Sequence, residues 1–244
     1  MKLKAKNRLL DTDMVIYQDD EWFKFSLDSV LLANFVTIQL RTKKIMDLAT
    51  GNAPIPLLLT LRTKASIYGV EFQSCVFELA KESVLENGKM NHIQLLCEDV
   101  RNLRNKFSSD SFDVVTCNPP YFKTTDSEYL NDNSVKALAR HEITLTLDDV
   151  LRQAKYLLKN DGMFAMVHRT ERLVEILEKL KEYRLEPKKI QFIYPKKGRD
   201  SDLFLIEAVK NGKPGLKMLS PLIVHEENGE YTKEISKILK FDLR

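Results

Sequence analysis

Lys44-Ile45-Met46-Asp47-Leu48-Ala49-Thr50-Gly51-Asn52-Ala53-Pro54 is the stretch on which the fold turns. Three of its first five residues, Ile45, Met46 and Leu48, suit a buried strand, and an acid, Asp47, stands next to its end. A tight turn of small residues follows. Behind it Ile55, Leu57 and Leu58 begin an apolar helix. A strand running through such a turn into a helix opens a βαβ unit, and the helix start offers free backbone N–H groups to a ligand.

Working outward, the pattern repeats. Strands are expected at Lys44 to Leu48, Ser66 to Val70, Ile93 to Cys97, Phe112 to Cys117, Met163 to His168, Lys189 to Tyr194 and Leu203 to Val209. Helical stripes lie between them. Ser74 to Asn87 places Val76, Phe77, Ala80, Val84 and Leu85 on one face and stops at Gly88. Later stripes run through Val150 to Leu158 and, behind Thr170 as N-cap, through Leu173 to Leu180. Alternation of this kind predicts an α/β fold with a doubly wound, mostly parallel, seven-stranded sheet. Before it, Ser26 would cap a helix through Val30, Leu31, Leu32 and Phe35. After Ala208, Gly212, Pro214, Gly215 and Pro221 predict a loop and a short terminal helix or strand. The expected division is a short N-terminal extension, residues 1–42, packing by the ligand site, and a main domain, residues 43–244.

The chain has 244 residues, a formal charge of +3 and three cysteines. No apolar run approaches the ~20 residues that cross a bilayer, so the protein is expected in the cytoplasm with no membrane partner. Cys75, Cys97 and Cys117 lack Cys-x-x-Cys spacing and read as small buried hydrophobes, with no metal expected. Basic residues gather at Lys2, Lys4, Lys6 and Arg8, and again from Lys181 to Arg199. Ordinary solvated surface is the competing reading of both runs.

In a doubly wound sheet, ligands bind beyond the carboxyl ends of the strands. Asp47 lies at the first such end, Glu71 at the second, where an acid can accept from both hydroxyls of a ribose, and Asp99 after the third, where it can accept from an adenine amino group. At the fourth, Phe112 to Cys117 runs into Asn118-Pro119-Pro120-Tyr121. Two prolines stiffen the turn and remove two donors, leaving an acceptor-rich pocket. The Asn118 oxygen and the Pro119 carbonyl can each accept one hydrogen of a planar amine, while the Tyr121 ring stacks on it. Such an amine is a poor nucleophile until its nitrogen turns tetrahedral, and two acceptors favour that. A nicotinamide site fits less well, because Gly-x-Gly-x-x-Gly is missing and the Asn-Pro-Pro-Tyr run would have no role.

From Asp47 to about Val209 the motif order resembles the Rossmann-like class I methyltransferases that use S-adenosylmethionine. The resemblance implies that Ala49, Gly51 and Asn52 hold the methionine part of the cofactor, Glu71 its ribose and Asp99 its adenine, with Asp47 and Asn118 beside them. Ala49 and Ala53 replace two glycines of the usual pattern. Alanine tolerates positive φ poorly, so cofactor affinity is where this departure would tell. Asn118 to Tyr121 resembles the motif of amino methyltransferases acting on adenine N6 or on glutamine.

Three more stretches, Phe25 to Leu32, Ala139 to Glu142 and Pro221 to Thr232, resemble the bacterial tRNA adenine-N6 methyltransferases that modify the adenosine beside the anticodon, position 37, of a valine tRNA. By that likeness Phe25 and Ser26 close over the cofactor. Phe122, Arg140 and His141 would border the base, and Lys196, Lys197 and Arg199 would meet tRNA phosphates. A protein glutamine N5-methyltransferase acting on release factors and a non-catalytic RNA-binding module with a decayed cofactor site are the alternatives. The oligomeric state stays open, with a monomer favoured.

Overall fold

The computed structural model describes residues 5–10, 12–19, 26–119 and 145–240. Its elements in chain order are β1 (Ala5–Arg8), β2 (Val15–Gln18), α1 (Leu27–Phe35), β3 (Lys44–Leu48), α2 (Pro54–Leu59), β4 (Ser66–Glu71), α3 (Ser74–Glu86), β5 (Ile93–Cys97), β6 (Phe112–Cys117), α4 (Leu147–Leu157), β7 (Leu158–Arg169), α5 (Leu173–Glu182), β8 (Leu185–Lys196), β9 (Leu203–Lys210), β10 (Lys217–Met218), β11 (Leu222–His225) and α6 (Lys233–Leu239). Strand order is β5-β4-β3-β6-β7-β9-β8, with β10 and β11 both on the outer edge of β8. Every pairing in this sheet is parallel except those of β9, which runs against β7 and β8.

All seven expected strands form the body of this sheet. Among the described residues it has nine strands rather than seven, because the Pro- and Gly-punctuated tail supplies two short ones. Two starts were placed too late. The strand expected from Met163 starts at Leu158, where β7 already pairs with Phe112 before the register shifts. The strand expected from Lys189 starts at Leu185, and β8 carries Pro187 at a register shift against β9, where the missing donor is tolerated.

Side chains of each strand alternate between two buried layers. Ile45, Val114, Ala165, Val167 and Leu205 face α1, α2 and the N-terminal hairpin. Met46, Leu48, Val115, Cys117, Phe164 and Met166 face α4 and α5. Leu9 and Ile16 of the hairpin region, and Val30, Leu31, Leu32 and Val36 on and beside α1, are buried in the first layer together with the sheet.

The hairpin of β1 and β2 docks through side chains. Ser83 Oγ accepts the Tyr17 N–H (2.9 Å), and the Asn87 amide takes both the N–H (3.0 Å) and the carbonyl (2.7 Å) of Val15. Helix ends differ from expectation in detail. Ser26 sits in the extended N-cap position of α1 without a side-chain capping bond. Thr170 opens a 3-10 turn and donates to the Ser201 carbonyl (2.6 Å), and α5 starts three residues later. Thr146 and Asp149 form a reciprocal capping box on α4.

Candidate active site

The parallel strands end along one edge of the sheet, and the expected residues that are described gather there. Just past β3 the backbone alternates through the left-handed region, with φ of 53° at Ala49, 58° at Gly51 and 69° at Ala53. This folds the turn back over the strand end. The Thr50 N–H donates to the Val70 carbonyl on β4 (2.9 Å). Room for the Thr50 side chain exists because β4 has Gly69 beneath it: a Cβ there would stand 3.0 Å from Thr50 Oγ1. The space around a Cβ built on Gly51 is open to 4 Å, so the turn presents bare backbone outward.

Asp47 lies under this turn with no solvent exposure. Its carboxylate accepts from Thr50 Oγ1 and Thr116 Oγ1, both at 2.6 Å. Burial raises its pKa from 3.8 to about 7, against the two hydroxyls, which lower it, and with a smaller push from the charge of Glu71. Glu71 is also buried. One oxygen accepts the Gly51 N–H and the other the Gln73 N–H, each at 2.9 Å. Burial raises its pKa too, and the backbone donors oppose it. An acid fixed by two backbone donors keeps further lone pairs for a diol.

Asn52 was expected to touch ligand. Its side chain is 4% exposed and donates to the Tyr17 carbonyl (2.9 Å), which ties the turn to the hairpin. Asp99 caps the 3-10 turn Val100–Asn105, accepting the Arg101 N–H (2.8 Å). The Arg101 guanidinium also grips both its oxygens (2.5 Å and 3.0 Å). That contact, first among the causes, holds the Asp99 carboxyl below its usual range. A ligand at Asp99 therefore shares it with Arg101, a residue that sequence reasoning passed over although an Arg two positions after a capping acid is a visible signal.

At the end of β6, Asn118 is half-buried and Pro119 buried. Asn118 Nδ2 donates to the hydroxyl of Ser29 (3.0 Å), itself 4% exposed on α1. Ser29 was also missed, since a serine just before Val30-Leu31-Leu32 looks like filler. Phe72, directly after Glu71, keeps 49% of its surface exposed at the same edge. Phe25, Pro120, Tyr121, Phe122, Arg140 and His141 lie outside the described residues.

The expectation of three buried cysteines holds only for Cys117, whose thiol burial pushes well up. Cys75 is half-buried and Cys97 exposed, because both sit where an element meets the open edge.

The basic run from Lys181 to Arg199 is divided by strand direction. β8 runs parallel to β7, so Lys196, Lys197 and Arg199 lie at its exit, on the edge where Asn118 lies. Lys188 is eight residues back, about 26 Å along an extended strand. Lys181 pairs with Glu186 (3.3 Å) and Lys189 with the buried Glu207 (3.2 Å). Only the last three are placed to meet something bound at the site edge. No helix among the described residues is long and apolar enough to cross a membrane.

A methyltransferase domain family matches residues 40–238. Among relatives, a tRNA1(Val) (adenine(37)-N6)-methyltransferase from Bacteroides fragilis is 27% identical over 89% of this chain and 91% of its own. One of the same name from Aliivibrio salmonicida is 24% identical over 84% of each. Among solved structures, a protein from Agrobacterium tumefaciens described as a predicted O-methyltransferase superposes with a TM-score of 0.71 at 22% identity, covering 88% of this chain and 96% of that one. A geranyl diphosphate C-methyltransferase from Streptomyces coelicolor, in complex with S-adenosyl-L-homocysteine, gives 0.57 at 12% identity over 75% and 76%. With the strand order, the acid-bearing strand ends and a family match across most of its length in agreement, this chain belongs to the methyltransferase domain family.

Proposed function

We propose that this protein transfers a methyl group from S-adenosylmethionine to the N6 amino group of an adenine in tRNA, the adenosine at position 37 of a valine tRNA being the specific target. The observation that carries the reading is the position of Asn118. It sits at the end of β6, beside the turn that follows β3 and in line with Glu71 at the end of β4.

The residues present suit the cofactor. Open space over Gly51 suits close backbone approach, Glu71 offers a braced acceptor for ribose hydroxyls, and Asp99 an anionic acceptor for the adenine amine. Asp47, ionised as pH rises past about 7, sets a negative charge beneath a ligand that carries positive charge. When bound, S-adenosylmethionine supplies an activated methyl group on a cationic sulfur. Asn118 and the Pro119 carbonyl then accept the two hydrogens of the target amine and turn its lone pair out of conjugation. Orientation of the two reactants supplies much of the rate, since such effects reach about 7–11 kcal/mol.

The adenine-N6 and tRNA parts are supported by the names of relatives that align over about nine tenths of both chains, and by three basic residues at the site edge. The N-terminal residues, tied to the cofactor turn through Asn52 and Tyr17, are proposed to complete the same pocket.

The test is incubation with labelled S-adenosylmethionine and unmodified tRNA, followed by digestion to nucleosides and mass detection of N6-methyladenosine. Asn118→Ala is expected to cut turnover ~100-fold or more with cofactor binding intact. Unlabelled tRNA with cofactor bound would remove the substrate assignment and make release-factor peptide the next trial. Unchanged turnover in Asn118→Ala would remove the mechanism.

A further inference from the structure

We infer that Ser29 is a positioning residue for the transfer: it holds the amide of Asn118 in the orientation that presents Oδ1 to the target amine. This rests on the reading of Asn118 given above and adds a second residue to it, from a different element.

Three observations converge. First, Ser29 is 4% exposed and is followed by the buried Val30, Leu31 and Leu32. A buried hydroxyl is costly without a partner, and alanine would serve the helix better. The Asn118 amide 3.0 Å away accounts for a serine there.

Second, an amide is planar, so fixing its nitrogen also fixes where its oxygen faces. Strand β6, paired on both sides by β3 and β7, fixes the backbone that leads into Asn118 but not its two side-chain torsions. The Ser29 bond restrains those.

Third, the helix carrying Ser29 is itself clamped at its far end. Arg62 Nη1 donates to the Val36 carbonyl (2.9 Å), and Glu207 accepts from Thr37 N (2.7 Å) and Thr37 Oγ1 (3.0 Å). Lys189 Nζ donates to Thr37 Oγ1 (2.7 Å) and the Phe35 carbonyl (3.2 Å). Ser29 is thus a fixed point from which the amide is held, rather than a contact that moves with it.

The test is a double-mutant cycle with Ser29→Ala, Asn118→Ala and the pair, measured as turnover on tRNA with cofactor affinity and melting temperature followed in parallel. Ser29→Ala is expected to lower kcat ~10-fold, with the KM for tRNA and the affinity for S-adenosylmethionine within about twofold of the native values. In the Asn118→Ala background it should cost nothing further, because its effect passes through that amide. The side-chain amide NMR signals that vanish in Asn118→Ala should be shifted in Ser29→Ala. Where Ser29→Ala melts early, Ser29→Cys replaces it, since a thiol of similar size is a weak hydrogen-bond partner. Native kcat in Ser29→Ala, or an equal loss in both backgrounds, would overturn the inference while leaving Asn118 in place. Native turnover in Asn118→Ala would overturn both.

Discussion

Replacing Asp47 by Asn should make the protein more stable at neutral pH and bind its cofactor worse. An acid whose pKa is higher folded than unfolded binds its proton better in the folded state. Its contribution to stability is therefore whole below its ordinary value and drains away as pH rises towards the folded one. For Asp47 the window runs from 3.8 to about 7, a shift of about 3 units, equivalent to about 4 kcal/mol at pH 8. Asn mimics the protonated acid. Its oxygen can accept from one of the two threonine hydroxyls, and the other can turn to accept from its amide nitrogen. Urea titrations of the free protein should show Asp47→Asn near the native protein at pH 4, its advantage growing by roughly 2–3 kcal/mol between pH 5 and pH 8. Calorimetry at pH 8 should show weaker S-adenosylmethionine binding, because the anion beneath a cationic ligand is gone. An advantage that stays flat or shrinks with rising pH would refute the account, and would mean that the two hydroxyls offset the burial of the charge.

The divided basic run separates two faces. Changing Lys196, Lys197 and Arg199 together to Ala should weaken tRNA binding and reduce its log–log salt slope by about 2. The same change at Lys181, Arg184 and Lys188 should leave the slope alone, and filter binding across a salt series distinguishes them. At Ala53, left-handed and with no exposure, Val adds a β-branch to a strained position and overfills the core. A loss of at least ~2 kcal/mol is expected by thermal melting, and an unchanged melting point would mean that the turn relaxes freely.

The sheet was legible because strands buried on both faces read as continuous apolar runs, and the acids at their ends stand out against them. Asp47, Glu71 and Asn118 were visible for that reason. What stayed hidden depends on contacts between distant positions. Nothing local in Ser29 announces Asn118, 89 residues away, or in Asn52 a bond to Tyr17, 35 residues back. Ala49 and Ala53 adopt positive φ despite the steric cost that a Cβ carries there. A short terminal helix or strand was expected in the tail, which holds both; the additional strand at Lys217–Met218 escaped because two residues carry no periodicity of their own, and a strand that short is defined by its partner.

The docking of the hairpin and α1 bears on how this chain can be cut or spliced. Composition invites a joint at residue 42, where the alternating pattern starts. A cut there would strip Leu9, Ile16, Val30, Leu31, Leu32 and Val36 from one face of the sheet and leave Asn52, Ser83 and Asn87 without the backbone groups they hold. Each such apolar side chain is worth about 1.5–3 kcal/mol when buried, and a domain's whole margin is about 5–15 kcal/mol. A cut at residue 42 is therefore expected to cost the rest of the chain most of its stability, and a graft of this domain should carry the hairpin and α1 along.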